Sequence, residues 1–352
     1  MASNHNSISD GDIADIINGP GKIMIFCGAG ISAASGLPTF RGSDGHFAHI
    51  RQKYHIKNGK DTLHYDQVFG RYYASMKYGK PDKATLANLA AFFSFVGDFR
   101  LRALRARPNR FHKLMKSLSD SSRLAGVITT NIDDLEVRAG VPPDQITQMH
   151  GSMSSLICEA CRDITPFTSA LATDCSQGKI PFHIGCRATG TTTRPNAGRP
   201  AMYRPRVLLY GGDPLNGQFF SRYPPIPRKC TLIIAGASLP TAEIVKEVKF
   251  LCKKVTKAGG QVVIANIRRS NLNLGTPTLN WVGDLTNFPY PRSLRSSSTS
   301  GSATARVLQC NLCAGTTRRG TACKLKASCR LGCSRSCYHH ATRHIKRRSC
   351  QD

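Results

Sequence analysis

Apolar residues in this chain follow two patterns: short continuous runs, and longer stretches with every third or fourth position apolar. Their alternation is the mark of an α/β protein. Residues 23–27, 124–129, 230–235 and 261–265 are runs of the first kind, each short enough for one buried strand. Residues 207–210 read as a further strand and 281–285 as the segment that closes the fold. Helical spacing runs through 63–78, 83–104, 111–118 and 244–256, where Phe92, Phe93, Phe95 and Phe99 read as packing residues. Residues 1–19 are polar and read as a loose N-terminus, with Ile13, Ile16 and Ile17 forming at most one amphipathic turn. Residues 43–60 are basic and turn-rich and read as a mobile loop able to close over a ligand. The chain shows no internal repeat.

The chemistry lies where strands end. Residues 23–27 break into Gly28-Ala29-Gly30, which lets the backbone turn tightly and approach a ligand, and Ser32, Ala33, Ala34 and Ser35 read as the first turn of a helix. Free amides and the helix dipole there suit a pyrophosphate. Gly36-Leu37-Pro38-Thr39-Phe40-Arg41-Gly42 adds a stiff turn bearing an aromatic ring and a fixed cation. Thr130, Asn131, Ile132 and Asp133 follow the strand at 124–129, where open α/β sheets place ligand contacts, although a helix cap uses the same residues. His150 precedes Gly151; a lone His is commonly structural, but its pKa suits proton transfer near neutrality.

Cysteine and charge extend this picture. Cys158-x-x-Cys161 is half of a zinc site, completed by His183 and Cys186, with Cys175 as the alternative to His183. A second half that binds no metal is the competing reading. The net charge of +28 is unevenly spread: from residue 291 onward thirteen Lys or Arg face a single acid, Asp352, so this tail should seek acidic or phosphate-rich surfaces. Residues 291–306 have linker composition. Residues 307–352 form a Cys/His-rich basic module in which Cys310, Cys313, Cys323 and one or more of Cys333, Cys337 and His339 could hold a second zinc and meet nucleic acid or chromatin. A disordered basic tail is the alternative. No run has the length of a membrane span and the first residues lack a signal pattern, so no membrane partner and a reducing compartment are expected.

Residues 24–42 together resemble the NAD-binding signature of the sirtuins, NAD-dependent protein lysine deacylases, with Thr39 where many members have Asp. The resemblance covers about residues 21–287. It implies a Rossmann-like parallel sheet with helices on both faces, a small zinc-binding domain and a helical insertion. The catalytic domain would span 20–290, with 20–42, 120–150 and 205–290 Rossmann-like, 43–119 the helical and cofactor-loop insertion, and 151–204 the zinc subdomain.

The roles it implies are specific. Gly28, Ala29, Gly30, Ser32, Phe40 and Arg41 would lie along the NAD phosphates and ribose. Asn131-Ile132-Asp133 matches the family's Asn-Ile-Asp motif, with Asn131 ordering water at the ribose and Ile132 and Asp133 holding the carboxamide. Thr130 replaces the usual Gln. Gly236, Ser238 and Asn266 would face the phosphates and adenosine ribose, and Leu285 the adenine. His150 would be the general base, and Tyr210, Gly211 and Gly212 would pair with substrate backbone.

The implied reaction transfers the acyl group of acetyl-lysine to NAD, giving nicotinamide, O-acetyl-ADP-ribose and free lysine. Arg-Pro-Arg-Val-Leu-Leu-Tyr at 204–210, Asn58-Gly59-Lys60-Asp61, Phe111-His112 and the helix at 244–256 resemble the fungal branch that deacetylates a histone. That branch implies acetylated histone, or another acetyl-lysine protein, as substrate and a nuclear location, with the cytoplasm as the alternative. The competing functions are a weakly active or non-catalytic NAD-binding chromatin module and a protein ADP-ribosyltransferase of the same fold.

Overall fold

The computed structural model describes residues 5–40, 45–54, 61–77, 79–186, 201–219, 223–239, 241–270 and 273–290. All lie in the first of two compact units, Met1–Ser296. Arg41, Gly42, the motif at 58–60, the linker and the Cys/His-rich module fall outside the described residues.

The strands are β1 (His5–Ser7), β2 (Ile23–Cys27), β3 (Leu124–Thr129), β4 (Ile146–Gln148), β5 (Gly151–Cys158), β6 (Ile164–Pro166), β7 (Tyr203–Val207), β8 (Thr231–Ala235), β9 (Gln261–Asn266) and β10 (Thr278–Val282). The helices are α1 (Asp10–Asn18), α2 (His46–Tyr54), α3 (Arg71–Lys77), α4 (Lys83–Arg105), α5 (Arg110–Asp120), α6 (Leu135–Arg138), α7 (Ser169–Ser176) and α8 (Ala242–Lys257). No described helix is long and apolar enough to cross a membrane.

β2 is buried along its whole length because both of its faces are covered. Successive side chains of a strand point to opposite faces. Ile23, Ile25 and Cys27 therefore pack with Ile13 and Ile17 of α1 and Phe111, Leu114 and Leu118 of α5, while Met24 and Phe26 pack with Val248, Leu251 and Val255 of α8. The large sheet runs β1-β10-β9-β8-β2-β3-β4, and every pairing in it is parallel. After β1 at one edge, the chain crosses to β2, builds outward through β3 and β4, then returns to the other side of β2 with β8. The order thus reverses between β2 and β8, and a ligand crevice is expected outside the strand ends there. A second sheet, β6-β5-β7, is antiparallel and packs with α4 and α7 around Phe92, Phe93 and Phe167.

Three expectations are corrected. From residue 5 onward the N-terminal segment is not loose: β1 pairs with β10, Ser9 and Asp12 form a reciprocal cap on α1, and Ile13 and Ile17 are fully buried. Residues 43–60 are not wholly a loop, because α2 occupies part of them. Its Ile50 is buried, and His46 lies 5.2–5.5 Å from the rings of Phe40, Phe95 and Phe99. The strand expected at 207–210 is instead β7, ending at Val207. It is an edge strand, the position in a sheet that tolerates Pro205. β7 also straddles the expected boundary at 204/205, so the small sheet extends through Val207.

Gly97 sits where α4 crosses α7. A Cβ there would lie 2.3 Å from Ser176 N and 2.5 Å from Ala172 O, backbone atoms that move only if the helices part. Gly97→Ala should therefore lower stability by about 1–3 kcal/mol despite its better helix propensity. Thermal unfolding followed by circular dichroism checks this; an unchanged or higher Tm would show that the helices do not meet there.

Candidate active site and metal centre

A cavity of about 1330 Å³ opens along the carboxyl ends of β2, β3, β4, β8, β9 and β10. Six strand ends at about 4.8 Å spacing make its floor roughly 24 Å long. At the point where strand order reverses, the turn after β2 meets the turn after β8. Gly28 N–H donates to Ala235 O (3.1 Å) and Gly30 N–H to Gly236 O (2.8 Å). A Cβ on Gly30 would lie 2.7 Å from Gly236 Cα, so only glycine permits this crossing. The helix expected from Ser32 is a 3₁₀-helix over Ala29–Ser35. Two amides of the turn are spent on Ala235 and Gly236, and that of Ala29 remains at the open end of this helix.

Gly28, Ala29, Gly30, Phe40, Thr130, Asn131, Ile132, His150, Tyr210, Gly211, Gly236, Ser238, Asn266 and Leu285 all line the cavity. Ser32, Asp133 and Gly212 do not. Ser32 Oγ donates to Asp133 Oδ2 (2.8 Å) and Leu135 N–H to Asp133 Oδ1 (3.0 Å), so this buried carboxylate is engaged away from the cavity wall. Gly212 N–H donates to Asp66 Oδ2 (3.1 Å).

His150 Nδ1 lies 3.2 Å from the backbone oxygen of Thr130. A carbonyl only accepts, so Nδ1 carries the proton and Nε2 is the basic nitrogen. The contact uses backbone, so Thr in place of Gln at 130 leaves it intact. Burial holds the His150 pKa below the ordinary histidine value, opposed in part by the Thr130 bond. Asn131 is fixed by its own N–H to Thr129 Oγ1 (3.1 Å) and by Nδ2 to Gly28 O (3.2 Å). Thr129 Oγ1 in turn donates to the buried Glu136 (2.8 Å), whose carboxyl is pushed up by burial and by the charge of Asp133.

Two contributors escape the sequence reading. Asp134, in the left-handed region at φ 62°, accepts from Gln148 Nε2 and Ser152 Oγ (both 2.7 Å), bracketing the His150 segment. Its signal was Asp after Asp, a residue type that tolerates positive φ. Asn109 lines the cavity and donates through Nδ2 to Ser35 Oγ (3.0 Å); its only signal was a place ahead of a helix.

Cys158, Cys161, His183 and Cys186 bring their ligand atoms within 4.8 Å of one another. Cys158 Sγ and Cys186 Sγ are 3.8 Å apart, and Cys161 Sγ and His183 Nδ1 3.5 Å. A tetrahedral zinc with the usual Zn–S and Zn–N lengths separates two thiolates by about 3.8 Å and a thiolate and an imidazole nitrogen by about 3.5 Å, so the donor set fits. Tyr203 stacks on His183 with centroids 4.6 Å apart. Cys175 is no alternative: it is buried in the α4–α7 core, apart from the cluster.

Residues 82–242 match the model of the Sir2 family. The chain is 29% identical to the NAD-dependent histone deacetylase HST4 of Saccharomyces cerevisiae over 272 residues, 71% of this chain and 67% of that protein. It is 25% identical to HST3 of the same yeast, also called an NAD-dependent histone deacetylase, over 70% of this chain and 58% of that one. Among solved structures, one concerned with sirtuin substrate affinity superposes with a TM-score of 0.56 at 22% identity, covering 84% of this chain and all of its own. The fold is therefore the sirtuin fold.

Proposed function

On the premise of the Sir2 family domain at residues 82–242, we propose that the chain is an NAD-dependent protein lysine deacetylase acting on acetylated histone. One observation carries this reading: the double-glycine crossing and the basic nitrogen of a half-buried His150 line the same cavity. Bound there, NAD would supply the anomeric carbon to which the acyl oxygen is joined, with nicotinamide as the leaving group. Gly28, Ala29, Gly236 and Ser238 would lie along its phosphates, Asn266 and Leu285 at its adenosine, and Asn131 and Ile132 at its other end. His150 Nε2 accepts the proton of a ribose hydroxyl. Phe40, Phe95 and Ile132 exclude water from the reacting end. Tyr210 N–H and C=O are spent on Leu63 O (2.9 Å) and Tyr65 N (2.7 Å), and on the opposite edge Leu209 N–H donates to Asp213 Oδ2 (2.7 Å) and Gly211 O accepts from Asp213 N–H (2.8 Å), so Leu209 C=O and Gly211 N–H are the groups left to pair with a substrate strand. Cys158, Cys161, His183 and Cys186 hold a structural zinc.

The histone assignment is supported by the yeast relatives and by the +28 charge, which favours histone wrapped in nucleic acid over a free basic peptide. The same charge supports nuclear, chromatin-bound action through the tail; unchanged localisation of a tail-deleted fusion would refute that role. Two zinc equivalents in the full chain would place a second ion in the module at 307–352, and one would confine metal to the Cys158 cluster.

The test is incubation of the purified protein with NAD and acetylated histone peptide. The expected outcome is nicotinamide release with loss of the acetyl mass. A mass gain of ADP-ribose would favour the transferase, and NAD binding without turnover the chromatin module. The acid limb of kcat/KM should have its midpoint below the ordinary histidine value of about 6.5, because burial keeps the basic form of His150 populated as pH falls. Initial rates between about pH 5 and 8 check this, and a midpoint above that value would remove His150 from the limb.

A further inference from the structure

Arg204 is fully buried between two carboxylates. Its Nε donates to Glu159 Oε1, its Nη2 to Asp213 Oδ1 (2.5 Å) and its Nη1 to Val207 O (2.9 Å). Each partner is completed elsewhere. Asp213 also accepts from Leu209 N–H (2.7 Å) and Leu215 N–H (2.8 Å), the two shoulders of the Tyr210–Gly211 loop. Glu159, inside the Cys158–Cys161 turn, accepts from Tyr65 Oη (2.7 Å). Tyr65 closes the circuit, since its own N–H donates to Tyr210 O (2.7 Å) and its ring lies 5.4 Å from the Arg204 guanidinium.

The guanidinium thus joins three separate segments: the metal turn, the helical insertion and the loop expected to meet substrate. A buried charge with this many fixed partners is costly to leave half paired, and the planar fork has no equivalent in lysine. None of its contacts reaches the cofactor turns. We infer that Arg204, through Asp213, is a positioning residue that sets the Leu209–Gly211 edge for acyl-peptide binding, an inference that rests on the deacetylase reading above. Its loss should weaken peptide recognition and leave cofactor recognition alone.

The experiment compares Arg204→Lys, Asp213→Asn and Tyr65→Phe in the full chain. Arg204→Lys and Asp213→Asn should raise KM for the acetylated peptide about tenfold or more, with kcat and KM for NAD within about twofold. Zinc content should stay at the wild-type value. Hydrogen exchange at the Leu209 and Leu215 amides should accelerate in both variants, because Asp213 loses the guanidinium that fixes it in one and one of its two acceptor oxygens in the other. Tyr65→Phe, which deletes a single hydroxyl, should move the peptide KM in the same direction by a smaller factor if the first two variants do not fold. An unchanged peptide KM with both amides still protected would overturn the proposal, as would equal rises in the two KM values. If wild-type protein turns over no acetyl-lysine, the deacetylase reading fails, while amide exchange still reports whether Arg204 and Asp213 hold the loop.

Discussion

Replacing His150 by alanine should slow NAD-dependent turnover of acetyl-lysine by about 10²- to 10⁴-fold, the range for a lost general base. The imidazole is held by one backbone contact, Nδ1 to Thr130 O at 3.2 Å, which fixes both its tautomer and its aim. His64 also lines the cavity, but its ring is packed against Gly211, where a Cβ would lie 2.1 Å from His64 Cε1. The glycine crossing between β2 and β8 does not involve His150, so NAD affinity should stay within about twofold of wild type. Nicotinamide release and an NAD titration on the same preparation check both halves. A variant that keeps a rate within tenfold of wild type would place the base elsewhere.

Replacing Cys158 by alanine should remove one zinc equivalent from the full chain and loosen the small sheet. Structural zinc in small peptide sites contributes on the order of 10 kcal/mol of apparent binding free energy, which is then folding free energy. Here the four donors span the turn after β5 and the segment ahead of β7, two stretches also joined by Glu159 N–H to Met202 O (3.0 Å). Elemental analysis gives the metal content, and limited proteolysis reports the loosened subdomain. Cys175→Ala should retain its zinc. Loss of metal in that variant, with retention in His183→Ala, would restore the alternative ligand set.

What could be read from the chain follows the range of the interaction concerned. β2 and β3 match their expected spans, and α4 and α8 differ only at their ends, because uninterrupted apolar runs and repeated helical spacing are local signals. α1 was undervalued although its signals were present: Ser9 and Asp12 three residues apart, then Ile13 and Ile17. α2 carries few apolar residues among many basic ones, and it is stabilised by rings from α4 that are remote in the sequence. The cavity residues were legible where they end strands, as at Gly28, Asn131, Gly236 and Asn266. The engagement of Ser32 with Asp133 was not, since it depends on a pairing across a hundred residues. Nor does a sequence reveal that one of forty-nine Lys and Arg residues, Arg204, has no exposure at all.

The three residues of β1 have a further consequence for how copies of this protein behave in a crowded solution. Without them the outer rim of β10 would offer a row of unpaired donors and acceptors to any other copy, the usual route to stacking of sheets. With them in place the outermost strand is too short to template a neighbour, and α1, tied by Trp281 Nε1 to Asp10 Oδ1 at 2.7 Å, anchors it. This stretch thus serves as a selvedge, and trimming it would trade a short, covered rim for an adhesive one.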